Sequence, residues 1–352
     1  MNSNLPSTKS DIKSPPIMGR RKAVNISSID VVKTSTLSAD QLLPLVIEPN
    51  LGNADLAEWA KSNLARIEES LLKHGAILFR GFNLVTPADF ERVALNIYGE
   101  LYGEYGDLPR AGASDKIYAS TPYPNDKMIL YHNESSHLHE WPLKISFFCV
   151  QAAKEGGCTP LLDCRGVLKL LDAGVVESFR KKGVMYVRNF HEGFDVSWQR
   201  FFQTEDKAAV EEACRQSYAT CEWTGQNRLR VRQVCKAVHT HPRTGEETFF
   251  NQVQLHHVAC LDADVRRSLR QLFAEEDLPR HAYFGDGSPI SDEIMQHIGE
   301  TYEKAAVRFQ WQSGDMALLD NMLTAHARDP FSGPRKIVVA MGQMMGSSGP
   351  VR

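Results

Sequence analysis

The stretch Tyr131-His132-Asn133-Glu134-Ser135-Ser136-His137, set between the apolar run Met128-Ile129-Leu130 and Trp141-Pro142-Leu143, decides how this chain is read. In extended backbone, residues i and i+2 point the same way, so His132 and Glu134 present an imidazole and a carboxylate to one point in space. That is two-thirds of a metal site. With 12 His in the chain, about one His-x-Glu is expected by chance, and a solvated polar pair competes until the surroundings fit.

After the turn Ser313-Gly314-Asp315, Met316, Leu318 and Asp320 alternate with Ala317, Leu319 and Asn321, which predicts a strand. A polar loop carrying His326, Arg328 and Asp329 follows. The turn Ser332-Gly333-Pro334 then opens a second strand over 335–341, with Arg335, Ile337 and Val339 on one face. This places His326 at a strand end and turns Arg335 inward.

On the N-terminal side, Leu45-Val46-Ile47 reads as a strand closed by Pro49. Leu56, Ala60, Leu64, Ile67 and Leu71 recur at helical spacing over 55–73, and Gly75 stands at the expected stop. Ala76-Ile77-Leu78-Phe79 reads as a buried strand ending in Arg80-Gly81-Phe82. Thr86, Pro87 and Asp89 suit the N-cap, first and third positions of another helix. The loop from Gly103 to Asp126 is long enough to expect a functional role.

Beyond the opening stretch, 145–150 and 161–163 read as strands joined through the tight turn Gly156-Gly157-Cys158-Thr159-Pro160. Helical patterns cover 167–182, 208–214, 262–273 and 290–306, and strand patterns cover 183–189 and 236–239. His241-Pro242-Arg243-Thr244-Gly245-Glu246 is a hairpin-like turn into Thr248-Phe249-Phe250-Asn251.

Composition bounds the function. With 352 residues, 42% of them hydrophobic and 24% charged, the chain is ordinary globular material. A net charge of -3 offers no basic excess for nucleic acid or an anionic membrane. No apolar run approaches the ~20 residues that span a bilayer, and the polar start over 1–13 does not resemble a signal peptide; the expected location is cytoplasmic. The first 20 residues read as a disordered tail, and Arg20-Arg21-Lys22 as a solvated segment. Seven Cys without a C-x-x-C pair predict buried free thiols.

Two His and one carboxylate, with the first two ligands close in sequence and the second His far downstream, match the facial triad of non-haem Fe(II) oxygenases. Three ligands on one octahedral face leave positions for a chelating 2-oxo acid and for O2. The far carboxylate of 2-oxoglutarate then needs a planar two-donor partner, which Arg supplies better than Lys. Thr159 adds a hydroxyl donor.

These marks together resemble the taurine dioxygenase and clavaminate synthase superfamily of Fe(II)/2-oxoglutarate-dependent oxygenases, in the branch of the syringomycin biosynthesis hydroxylase. They are Leu78-Phe79-Arg80-Gly81-Phe82, His132-Asn133-Glu134, Gly156-Gly157-Cys158-Thr159-Pro160, His241-Pro242-Arg243-Thr244-Gly245, Asp320-Asn321, His326 and Gly333-Pro334-Arg335, ordered over about 73–341.

The resemblance implies that His132, Glu134 and His326 bind iron, and that Arg335 and Thr159 hold the distal carboxylate of 2-oxoglutarate. It implies an α/β fold with a double-stranded β-helix (jelly-roll) core flanked by helices. The expected layout is a tail over 1–20 and one oxygenase domain over 21–352, with an insert at about 165–300. Cofactors would be Fe(II), 2-oxoglutarate and O2, with ascorbate as in vitro reductant.

The implied reaction is hydroxylation of an unactivated C-H bond of an amino acid, free or tethered to a carrier protein, in secondary-metabolite biosynthesis. Glu134 argues against halogenation, because related halogenases lack that carboxylate. Desaturation or cyclisation by the same oxidant is the alternative, and a catalytically silent jelly-roll binding module is another. His137 and His139 are rival ligands without a carboxylate at the matching offset. Arg80 is expected in a structural ion pair, Arg328 in either substrate contact or loop support, and His256 and His257 as interior or pocket-lining residues.

Overall fold

The computed structural model describes residues 31–38, 41–50, 52, 54–103, 116–119, 123–191, 196–225 and 227–346. The N-terminal tail, the 20–22 basic cluster and most of the 103–126 loop lie outside the described residues. Among the described residues no helix is long and apolar enough to cross a membrane. All seven cysteines are free, and five of them are buried.

The described elements begin with β1 (Val32–Ser38) and β2 (Gln41–Pro49), then α1 (Leu56–Ser62) and α2 (Leu64–His74). The single helix expected over 55–73 is thus two, broken at Asn63, whose own backbone is non-helical (φ -126°, ψ 25°) and whose N–H bonds Ala60. Next come β3 (Ala76–Phe79), α3 (Pro87–Tyr98) and β4 (Tyr118–Ala119). Thr86 and Asp89 form a reciprocal capping box at α3, with Pro87 at its start.

β5 (Ile129–His132), β6 (Glu140–Gln151), β7 (Glu155–Gly156) and β8 (Leu161–Asp163) follow. The segment expected as an insert opens with α4 (Cys164–Leu170), α5 (Ala173–Lys182) and β9 (Val184–Phe190). The helix expected over 167–182 is interrupted where Leu171 is extended and Asp172 caps α5. It continues with α6 (Trp198–Phe202), α7 (Lys207–Gln216), β10 (Thr220–Thr224), β11 (Arg228–Cys235), β12 (Val238–Thr240) and β13 (Glu247–Phe249). It ends with α8 (Val253–His256), α9 (Ala263–Leu272), β14 (Arg280–Phe284) and α10 (Asp292–Ala305). The chain then returns through β15 (Met316–Asp320), β16 (Thr324–Arg328), β17 (Phe331–Ser332) and β18 (Lys336–Gly346).

Seven strands form the major sheet in the order β1-β2-β3-β15-β6-β18-β4, and three form a minor sheet, β5-β16-β8. Pairing in the major sheet is antiparallel except β2 with β3. The central strand β6 is buried from Trp141 to Cys149, as expected of a strand covered on both faces. One face meets the helices: Phe148 stacks on Phe90 of α3 at 5.4 Å within a core that includes Ile67, Leu71 and Val93. The opposite face, with Ile145, Phe147, Ile337 and Val339, shares a core with Leu161 of the minor sheet. A third core joins Ala325 and Ala327 of β16 to the 164–305 segment, in which a further sheet runs β10-β11-β9-β14.

His326 and Arg328 lie inside a buried strand, β16, rather than in a polar loop. Ala325 and Ala327 pack into the insert-side core, while the His326 ring lies 4.9 Å from Phe147 of the major sheet. The period of two is real, but pairing with β5 and β8 on both sides makes it a strand.

Candidate active site

Strand register builds the site. His132 on β5 and His326 on β16 are direct antiparallel partners, which brings their ring centroids to 4.3 Å. Glu134 enters from the turn after β5, with its Oε2 3.9 Å from His132 Nε2. One ligand atom from each of His132, Glu134 and His326 lies within 4.8 Å of the others.

The donor set fits a divalent transition metal. His132 Nδ1 lies 2.8 Å from the Leu130 carbonyl; an imidazole there donates its Nδ1–H and leaves the Nε2 lone pair for a metal. His326 Nδ1 is buried with no hydrogen-bond partner among the described residues. Burial first, then the neighbouring His132, holds the His326 imidazole well below its ordinary pKa, in the neutral form that ligation needs. Two neutral imidazoles and one carboxylate suit Fe(II).

The turn that delivers Glu134 is held by amides. Asn321 Oδ1 accepts the Glu134 N–H at 2.8 Å, and Asn321 Nδ2 donates to the Glu134 carbonyl at 2.9 Å. Asn133 Nδ2 donates to the Asn321 carbonyl at 2.7 Å, and the Asn133 carbonyl accepts from Gln252 Nε2 at 2.9 Å. Sequence reading used Asn321 only as one member of a pattern. An Asp-Asn pair ending an otherwise apolar strand was the available signal, since buried polar groups must find partners.

A second constellation surrounds Arg335. Its Nε donates to the Gly157 carbonyl at 3.1 Å, Nη2 approaches Thr159 Oγ1 at 3.5 Å, and the guanidinium stands 5.4 Å from the Phe331 ring centroid. Burial, then the Arg328 charge, pushes its pKa down to about 10. Among the described residues no carboxylate neutralises it. Trp311 Nε1 donates to Thr159 Oγ1 at 3.0 Å, so the Thr159 O–H remains free to donate elsewhere. A half-buried, uncompensated guanidinium beside a hydroxyl donor is a fit for the distal carboxylate of 2-oxoglutarate.

The other candidates sort cleanly. Arg80 forms the expected ion pair, with Nη2 2.6 Å from Asp315 Oδ2. Arg328 is a loop support, donating to the carbonyls of Tyr123, Pro124 and Lys127. His137 and His139 stay outside the cluster. His137 packs against Tyr186 and His256 and is pushed down to about 4, by burial first. His139 packs on Tyr218. His257 is a satisfied interior residue: Nε2 faces the Ile290 carbonyl at 3.0 Å and Nδ1 accepts the Ala259 N–H.

Comparison with known proteins gives the family. The taurine catabolism dioxygenase TauD, TfdA family matches residues 38–341. The dapdiamide synthesis protein DdaC of Enterobacter agglomerans is 41% identical over 276 residues, which are 78% of this chain and 84% of that protein. A clavaminate synthase-like protein of Arabidopsis thaliana is 28% identical over 305 residues, covering 83% of this chain and 89% of the other. The crystal structure of PvcB from Pseudomonas aeruginosa shares the fold, with a TM-score of 0.52 and 16% identity over 89% of this chain and 92% of that one. The chain therefore belongs to the TauD, TfdA family and is a 2-oxoglutarate-dependent non-haem iron dioxygenase, using Fe(II), 2-oxoglutarate and O2.

Proposed function

We propose that this dioxygenase hydroxylates an unactivated C-H bond of an amino acid, free or tethered to a carrier protein, in secondary-metabolite biosynthesis. The observation that carries the reading is the convergence of His132, Glu134 and His326 on one point, with the carboxylate present. His132, Glu134 and His326 would hold Fe(II). Arg335 and Thr159 would hold the distal carboxylate of 2-oxoglutarate. On this reading the major and minor sheets are the walls of a double-stranded β-helix within one domain over 21–352, and about 165–300 is its insert.

The bound metal supplies oxidative decarboxylation of 2-oxoglutarate to succinate and CO2 and an oxidant able to take a hydrogen atom from C-H. The protein's own part is orientation. The register of His326 against His132 fixes two ligands on neighbouring strands, and the Leu130 carbonyl holds the tautomer of one of them. Arg335 supplies charge and direction for the cosubstrate without an internal acid competing for it. Phe147, Phe331 and Trp311 line these polar groups with apolar surface, which favours exclusion of water.

Support for the biosynthetic setting comes from a relative, the dapdiamide synthesis protein at 41% identity. The test is succinate formation with Fe(II), ascorbate and 2-oxoglutarate against free amino acids and the same residues loaded on a phosphopantetheinylated carrier. Stimulation by one of these, with a product heavier by one oxygen, is the expected result. A product lighter by two hydrogens would replace hydroxylation with desaturation or cyclisation. No substrate-stimulated succinate across the panel would refute the amino-acid reading.

A further inference from the structure

Below Glu134 lies a set of buried polar contacts that the chemistry itself does not use. Asp320, at the end of β15, is 2% exposed and His241 is fully buried. His241 Nδ1 accepts the Thr244 and Arg243 N–H groups at 3.1 and 3.3 Å, so it carries no proton, and Nε2–H donates to Asp320 Oδ2 at 3.1 Å. Asp320 Oδ1 accepts the N–H groups of Met322 and Leu323, both at 3.0 Å. Opposite Asp320 in register stands Lys144 of β6, 1% exposed, which pairs with Glu68 of α2; Glu68 in turn pairs with Arg243. Arg243 is two residues from His241, so the contacts close a ring through α2, β6, β15 and the turn before β13.

That ring fixes one residue. Asn321 sits between the Asp320 carboxylate and the two amides that it caps, and it is fully buried. Its side chain takes both main-chain groups of Glu134 and also donates to the Pro142 carbonyl at 2.8 Å. Its own N–H bonds the Leu143 carbonyl at 2.8 Å. The segment carrying Glu134 is a series of turns, with Ser135 at φ 57°, outside any strand ladder. A side-chain amide therefore replaces the ladder that holds His132 and His326.

We propose that Asn321 is the positioning residue for the carboxylate ligand of the metal, and that the His241–Asp320 pair holds Asn321 in the conformation this requires. The inference rests on the reading of Glu134 as a ligand. Partners behind metal ligands commonly govern affinity by 10–100-fold.

The test is Mn(II) binding to the metal-free full chain, followed by the electron paramagnetic resonance signal of the free ion. Asn321→Ala is expected to weaken Mn(II) binding about 10–100-fold while the KM for 2-oxoglutarate at saturating Fe(II) stays within about twofold of wild type, because Arg335 and Thr159 are untouched. His241→Leu should weaken Mn(II) binding in the same direction, and His241→Gln, which keeps an N–H donor for Asp320, should recover most of it. If Asn321→Ala does not fold, the two His241 variants carry the test alone. His132→Ala is the control. Wild-type Mn(II) affinity in His132→Ala would overturn the ligand assignment itself. Lost affinity in His132→Ala beside unchanged affinity in folded Asn321→Ala, or in both His241 variants, would overturn this inference and leave the ligands standing.

Discussion

Arg335 and Arg80 bring the same guanidinium into different company. Arg80 meets the buried carboxylate of Asp315 through two nitrogens and also donates to the Gln310 carbonyl. Arg335 meets a carbonyl, a hydroxyl and an aromatic ring. The first arrangement includes a carboxylate and the second, among the described residues, does not. Arg335→Ala should therefore raise the KM for 2-oxoglutarate by about 100-fold or more, whereas Arg335→Lys keeps the charge and loses the planar fork, for a loss of about tenfold. Arg80→Ala should instead leave that KM unchanged and lower unfolding stability by about 3 kcal/mol, because Asp315 is stranded without its partner. Initial rates of succinate release and urea unfolding separate the two outcomes.

At the scale of elements, the turn between β7 and β8 is a positioning device. Gly156 and Gly157 both have positive φ, 67° and 70°. A Cβ on Gly156 would lie 2.3 Å from the Pro330 carbonyl oxygen, and one on Gly157 would lie 3.1 Å from Arg335 Cδ and Nε. Gly156→Ala should cost about 1–3 kcal/mol of stability, since backbone must move. Gly157→Ala should act on the cosubstrate, raising the KM for 2-oxoglutarate through the displaced Arg335 with a smaller change in kcat. Equal KM values for Gly157→Ala and wild type would contradict this placement.

This turn was readable because glycine pairs announce it, and α3 was readable because Thr86, Pro87 and Asp89 announce its start. β16 was not. Ala-His-Ala-Arg has small residues on one face and polar ones on the other, a pattern of weak strand preference, and only its pairing with β5 and β8 makes it a strand. β11 failed for a related reason: Arg228, Arg230 and Arg232 mask a strand whose Leu229 faces an insert core. The three converging residues were nevertheless legible, since imidazole and carboxylate side chains announce metal chemistry wherever they stand, whereas the amide of Asn321 announces nothing until its contact with Glu134 is seen.

Two buried histidines between β13 and α10 make the whole protein sensitive to acid. His257 and His281 are 2% and 3% exposed, with ring centroids 4.4 Å apart. Burial is the leading cause that pushes them down to about 4 and about 3; Arg270 adds to the shift in both, His257 lowers His281, and Asp292 opposes it. Their folded pKa values lie below the ordinary value of 6.5. Between that value and about 4 the unfolded chain therefore binds more protons, and stability is lost as pH falls. Each pKa unit corresponds to about 1.4 kcal/mol. Urea midpoints of the metal-free protein should fall steeply from pH 7 to pH 5. His281→Asn, whose Oδ1 can accept the Val258 N–H now taken by Nδ1, should flatten that slope. An unchanged slope in this variant would remove His281 from the account.

The central claim is that His132, Glu134 and His326 with Arg335 form a working Fe(II)/2-oxoglutarate centre. Its most direct test is turnover under 18O2 with mass analysis of succinate, in wild type, His132→Ala and His326→Ala. The account predicts one 18O atom per succinate in the wild type, dependent on Fe(II), and no succinate above background in either variant. Labelled succinate at near wild-type rate from either variant, or unlabelled succinate from the wild type, would contradict it.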